Sequence, residues 1–305
     1  MRTLSLRFLK LLRSVRDFCV AMLVFTFYAL VRALPAQSAI RGGGKFAQFI
    51  GRFAPRSKIA LRNIALAFPE KSPAEHQQIL SEAWDNFGRT AVEYCHLDHI
   101  WDYDINAPGK GHINVAGVEH FVQMRDDGKP ALIVTAHLGN WELPMVAANV
   151  HGLKAAALFR APNNRWIAKW VLNRRKVAMG ELIASRRGSI HALSNVIERG
   201  DHLGMLVDQH FWNGVESTLF GRKILCNPAF ARLARLHDCP VYAVRVIRLP
   251  NERFRIELTP ELQLPRDETG KIDIKGSIDF INCLFETWIA EHPGQWLWLH
   301  RRWRG

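Results

Sequence analysis

Residues 131–143 read Ala131-Leu132-Ile133-Val134-Thr135-Ala136-His137-Leu138-Gly139-Asn140-Trp141-Glu142-Leu143. The first six form a short, nearly continuous apolar run, entered from Gly128-Lys129-Pro130. That is the pattern of a strand buried on both faces, as in a parallel sheet. His137 stands where the run stops, Gly139 and Asn140 turn the chain, and a helix start is expected from Trp141 onward. A histidine is therefore expected at the carboxyl end of a buried strand, where ligands bind in open α/β sheets. On one continuous helix His137 and Glu142 would point well apart. Across a tight turn they can meet, with the carboxylate holding one ring nitrogen and the other left free as a general base.

Working outward, 154–159 reads as a second strand ending at Arg160, and 202–207 as a third ending at Asp208-Gln209. Further strands are expected at 241–247 and 254–258. Helices are expected after Pro162-Asn163-Asn164, over 189–199, from Asn227-Pro228 through His237, and over 274–292. Strands alternating with helices predict an α/β fold, a mainly parallel sheet flanked by helices. If the first three strands are parallel neighbours, His137, Arg160 and Asp208 open onto one cleft. Upstream, Ser72-Pro73-Ala74-Glu75 is a capping box with proline at the first helical position, starting a helix to about His96. Leu80, Trp84, Phe87 and Ala91 mark its core face.

The N-terminus is basic and apolar. Arg2, Arg7, Lys10, Arg13 and Arg16 lie among leucines, and residues 18–31 carry no charge. Fourteen residues are short for a bilayer span of about 20. A signal peptide, a core helix and an uncleaved anchor lengthened by Leu11, Leu12 and Val15 all compete. Arg32 sits badly in a signal-peptide tail, and dense basic residues suit an anionic leaflet. The preferred division is an anchor over 1–41 and an α/β domain over 42–305, with Gly42-Gly43-Gly44 as a flexible link. Arg52, Arg56, Lys58 and Arg62 follow among apolar residues, on an interfacial helix or an ordinary solvated face.

Composition narrows the partner. Lys+Arg number 41 against 28 Asp+Glu, a net charge of +13, and ten Trp and seventeen Phe outweigh four Tyr. The charge calls for an acidic partner, and the greasy aromatic set favours lipid over nucleic acid. No nucleic-acid-binding motif is present. Five cysteines, odd in number and without a Cys-x-x-Cys pair, read as free thiols. There is no Gly-x-Ser-x-Gly elbow, phosphate loop or metal-ligand spacing, so neither cofactor nor metal is expected. A His–carboxylate pair without a protein nucleophile suits direct transfer: a substrate hydroxyl, deprotonated, attacks an activated acyl group. Arg160, or amides near Asn140 and Trp141, would stabilise the oxyanion.

His137-Leu138-Gly139-Asn140-Trp141-Glu142 resembles the signature of the late acyltransferases of lipid A biosynthesis, the lauroyl and myristoyl Kdo-lipid A acyltransferases, within a wider glycerolipid-acyltransferase-like group. Arg62-Asn63-Ile64-Ala65-Leu66-Ala67-Phe68-Pro69-Glu70, Phe159-Arg160 with Asn163-Asn164, Val207-Asp208-Gln209, and Gln295-Trp296-Leu297-Trp298-Leu299-His300-Arg301-Arg302-Trp303 resemble further blocks of that family. The likeness covers nearly the whole chain. It implies the acyltransferase α/β fold on the cytoplasmic face of the inner membrane. It also implies acyl carrier protein as donor and a 3-hydroxyacyl hydroxyl of a lipid A precursor as acceptor. His137 would be the base and Glu142 its orienting partner. Arg160, Asp208, Gln209 and Asn140 would bind substrate in the cleft, and Arg301 and Arg302 would engage acceptor phosphates. Two other readings stay open: an acyl-CoA-dependent enzyme acting on another glycolipid, such as a phosphatidylinositol mannoside, and a peripheral lipid-binding protein without turnover.

Overall fold

The computed structural model describes residues 2–98, 100–185 and 188–303, with side chains from residue 11 onward. Arg2, Arg7 and Lys10 of the basic N-terminus thus lie outside the described side chains. Four helices come first: α1 (Arg2–Ala33), α2 (Ala36–Gly51), α3 (Pro55–Ala67) and α4 (Pro73–Glu93). Ser72 caps α4 with the reciprocal Glu75 bonds that the sequence predicts, an arrangement worth about 1 kcal/mol. Then strands and helices alternate: β1 (Ile113–Ala116), α5 (Val118–Asp126), β2 (Leu132–Thr135), α6 (Leu143–Val150), β3 (Ala155–Phe159), α7 (Arg165–Met179), β4 (Glu181–Ala184), α8 (Ser189–Glu198) and β5 (His202–Leu206). An antiparallel hairpin, β6 (His210–Leu219) and β7 (Arg222–Cys226), interrupts the pattern before α9 (Ala229–His237), β8 (Val241–Leu249), β9 (Arg253–Leu258) and α10 (Ile274–Glu291) close it.

The main sheet runs β1-β9-β8-β2-β5-β3-β4. Every pairing is parallel except β8 with β9, so the mainly parallel, helix-flanked sheet agrees with the sequence reading. β1, β4 and the hairpin carry no strand signal in the sequence, because each is short or too polar to show an apolar period. β2 is flanked by β8 and β5, and β5 by β3. The three strand ends therefore sit side by side, as their parallel order requires.

Strand periodicity sorts the side chains. Leu132, Val134 and Ala136 enter the main core with Leu203, Ala243 and the Trp296–Trp298 pair. Ile133, Thr135 and His137 face the other way, into a cavity. Both faces of β2 are covered, which explains its almost unbroken apolar sequence.

One N-terminal expectation needs revision. Gly42-Gly43-Gly44 is no flexible link: it lies within α2, where a Cβ on Gly43 would collide with Val92 of α4. Glycine is there to let two helices touch, so the boundary drawn at 41/42 cuts a packed helix. The N-terminal apolar helix expected from the sequence is present as α1. Leu11–Ala33 is apolar and long enough to cross a membrane. It also docks on α7 through Phe18–Trp166 and Tyr28–Trp170, with centroids 5.6 and 4.7 Å apart, and Arg32 pairs with Asp98 at 2.6 Å.

Candidate active site

His137 leaves the end of β2 on the cavity face, and its two ring nitrogens have different neighbours. Nδ1 lies 2.6 Å from Oδ1 of Asp208. The backbone N–H of His137 donates to Oδ2 of the same carboxylate at 2.9 Å, and the indole N–H of Trp296 donates to it at 2.8 Å. Asp208 is 4% exposed. Burial alone would push its carboxyl up, but the charge and donors of His137 and the Trp296 indole outweigh that and hold it down at about 2. An ionised carboxylate on Nδ1 requires the proton there, which leaves Nε2 as the basic nitrogen. Nε2 faces the side-chain amide nitrogen of Gln209 at 3.2 Å.

Glu142, the partner expected from the sequence, is engaged elsewhere. Its carboxylate pairs with the guanidinium of Arg175 from α7. The correction concerns the partner only, since Glu142 and His137 line the same cavity. The cause is the turn. Asn140 accepts the N–H of Glu142 on its side-chain oxygen at 3.2 Å, and Glu142 becomes the N-cap position of α6, facing α7. Arg175 lies over the rings of Tyr94 and Phe159 at 5.4 and 6.0 Å. Its Nε is buried and has no hydrogen-bond acceptor among the described residues. Burial pushes the Tyr94 phenol up to about 12.

The turn after His137 is clamped from behind. Gly139, at φ +58°, places its Cα against the carbonyl of Val246, where a Cβ would collide. Its carbonyl accepts from Asn86 and Thr90 of α4 at 3.0 and 3.2 Å, and its N–H donates to the Gln295 carbonyl at 3.1 Å. The Asn140 amide donates to Glu93 at 2.9 Å. Glu93, 1% exposed, is forked by Arg248 at the end of β8, whose Nη2 is 2.9 Å from Oε2. The Gln295 side chain bonds both the N–H and the carbonyl of Arg248. Trp296 then bridges Leu138 as an antiparallel partner.

The cavity, about 590 Å³, lies between the sheet and the α5–α6 layer, a size typical of small-molecule sites. Apolar side chains dominate it: Ile133, Ala157, Leu206, Val244 and Ile256 from the sheet, and Phe121, Pro144, Met145 and Ala148 from above. Met145 sits over Gly204 so closely that a Cβ there would stand 3.0 Å from its sulfur. Around His137 the lining turns polar, with Glu142, Arg160, Arg175, Gln209 and His300. Burial, and then the nearby His137 and Arg56, push His300 down from its ordinary value. Among the described residues no group of three or more His, Cys, Asp or Glu is placed to hold a metal. The five cysteines are all free.

Of the other expected residues, Arg160 and Gln209 line the cavity, and Asp208 is bound to His137 outside the cavity lining. Asn140 is fully buried and bound to Glu93, and its side chain is not among those lining the cavity. Arg301 is exposed next to His300. Arg302 is 3% exposed and packed against Cys226 and the Leu225 carbonyl, so it is not available to a phosphate. Arg175, His300, Glu93 and Arg248 are site residues to which the sequence assigns no role. Only Glu93 carried a signal: with Asn86 and Thr90 it makes a polar stripe at helical spacing beside the apolar row of α4. Nothing local distinguishes Arg175 from its neighbours on a basic helix.

Residues 6–305 match the sequence profile of the bacterial lipid A biosynthesis acyltransferases. The chain is 23% identical to the lipid A biosynthesis palmitoleoyltransferase of Escherichia coli (strain K12) over 258 residues, covering 82% of this chain and 79% of that protein. Against the lauroyltransferase of the same organism it is 23% identical over 284 residues, 90% of this chain and 88% of that one. The myristoyltransferase is likewise 23% identical over 262 residues, covering 84% and 77%.

Proposed function

The chain belongs to the bacterial lipid A biosynthesis acyltransferase family and is an acyltransferase; from that premise we propose that it moves a fatty acyl chain from acyl carrier protein to the hydroxyl of a 3-hydroxyacyl chain on a lipid A precursor. It does so at the cytoplasmic face of the inner membrane. The observation that carries the reading is the His137 imidazole, fixed on Nδ1 by a buried carboxylate, with Nε2 turned to a largely apolar cavity.

The acceptor hydroxyl takes the place of the Gln209 amide beside Nε2. Nε2 removes its proton as the oxygen attacks the thioester carbonyl, and Asp208 steadies the imidazolium that forms. The carbonyl oxygen gathers negative charge next to Arg175, whose uncommitted Nε–H is the proposed oxyanion donor, with Arg160 nearby. The carbon–sulfur bond breaks, and the leaving thiolate takes the proton from His137. No covalent enzyme intermediate is needed. Glu142 acts here by holding Arg175 rather than His137.

A strongly basic chain suits an acidic carrier protein as donor and an anionic lipid as acceptor. Purified full-length protein offered an acyl thioester of carrier protein or of CoA, with a lipid A precursor, tests the reading by mass spectrometry of the lipid. The expected result is transfer from the carrier protein, abolished by His137→Ala while membrane association persists. Transfer that survives His137→Ala overturns the base assignment. Preference for CoA overturns the donor.

A further inference from the structure

Helix α2 has two unlike faces. Ala39, Ile40, Gly44, Ala47 and Gly51 are buried, and the close approach of Gly43 and Gly88 seats the helix on α4. The opposite side carries Phe46, Phe49 and Ile50, continued by Phe53 just past the helix end. They are 63%, 59%, 42% and 76% exposed. Offsets of three, four and seven make one stripe, and the Phe49 and Phe53 rings touch edge-on at 5.8 Å to form a ridge. Isolated exposed apolar residues are ordinary, but a contiguous ridge of this size marks a contact surface.

Charge names the occupant. Between Asp17 and Glu70 the chain contains no acidic residue. Lys45, Arg52, Arg56 and Lys58 are exposed around the ridge. Aromatic and aliphatic side chains with an exposed basic rim match a bilayer with anionic headgroups. In sequence the ridge follows α1, whose Leu23, Phe27 and Leu30 are more than half exposed, as is Leu34 just before Pro35 and α2. At its far end Arg56 donates to the Leu299 carbonyl at 3.4 Å, one residue before the cavity-lining His300.

We propose that the ridge of Phe46, Phe49, Ile50 and Phe53, with its basic rim, inserts into the headgroup–acyl boundary of an anionic bilayer. This is a second membrane contact beside α1, and it holds the cavity at the lipid surface. It takes from the proposed function only the membrane location, not the chemistry. An acceptor then reaches His137 without leaving the bilayer.

The test uses the full chain with Cys19→Ser and Cys283→Ser, reconstituted in vesicles of phosphatidylethanolamine and phosphatidylglycerol. Spin labels are placed by Phe49→Cys or Phe53→Cys, with Leu236→Cys, 70% exposed on α9, as reference. Power-saturation spectra should show both ridge labels more accessible to oxygen and less to a water-soluble nickel chelate than the reference. Water-like accessibility at both ridge sites overturns the proposal. So does protection from both reagents, which would mean that protein covers the ridge. Because depth is read without turnover, this result is independent of the acyl-transfer reading. In a second arm, Phe49→Glu/Phe53→Glu should slow transfer to vesicle-borne acceptor by about tenfold or more while sparing acceptor in detergent micelles. Equal rates in both settings count against it.

Discussion

At the scale of single residues, the His137–Asp208 contact makes the sharpest claim. Asp208→Asn keeps the shape but loses the charge that fixes the proton on Nδ1, so kcat should fall by about 10²–10⁴-fold; a near-normal rate would remove Asp208 from the mechanism. The same carboxyl predicts an acid limb of stability. Its folded value of about 2 lies below the unfolded value of about 3.9. Its contribution is therefore complete above about pH 4 and is lost as pH falls toward 2. Tryptophan fluorescence across that window should show a loss in the parent chain that is smaller in Asp208→Asn. Glu142→Ala is expected to lower kcat by about 10²-fold for a different reason: Arg175 loses its anchor, and a misplaced donor costs roughly that much. Steady-state rates that match the parent would show that Arg175 is held by its aromatic neighbours alone.

At the scale of elements, α4 does two jobs with two stripes. Its apolar row builds the core, while Asn86, Thr90 and Glu93 reach under the Gly139–Asn140 turn and meet Arg248. Removing one member of a buried ion pair strands the other, at a cost of about 3–5 kcal/mol. Glu93→Leu and Arg248→Met are each expected to lower the melting temperature and kcat sharply. The double variant should recover stability relative to either single one, yet not activity, because Asn140 still lacks its acceptor. Calorimetry and rates on the three variants check this, and additive losses of stability would show that the pair is not coupled.

At the scale of the whole molecule, the cavity is what the sheet and its helical cover leave open. Gly204 sits midway along β5 beneath Met145. Gly204→Val should fill the gap and shift the transferred chains to shorter ones, read by mass spectrometry of the lipid product. An unchanged chain distribution would place the acyl chain elsewhere in the cavity.

What the amino-acid order alone determined is the local grammar. The apolar run before His137, the Ser72 capping box and the alternation of strands with helices each rest on contacts within a few residues. Periods of 2 and 3.6 report such contacts directly. Parallel neighbours then put His137, Arg160 and Asp208 on one rim, which the strand ends already suggested. Tertiary structure decided who holds whom. Asp208 reaches His137 across 71 positions and Arg248 reaches Glu93 across 155, while Glu142, five positions from His137, turns to Arg175 instead. No local pattern encodes such pairings, because they follow from which strands become neighbours and which way one turn of chain faces.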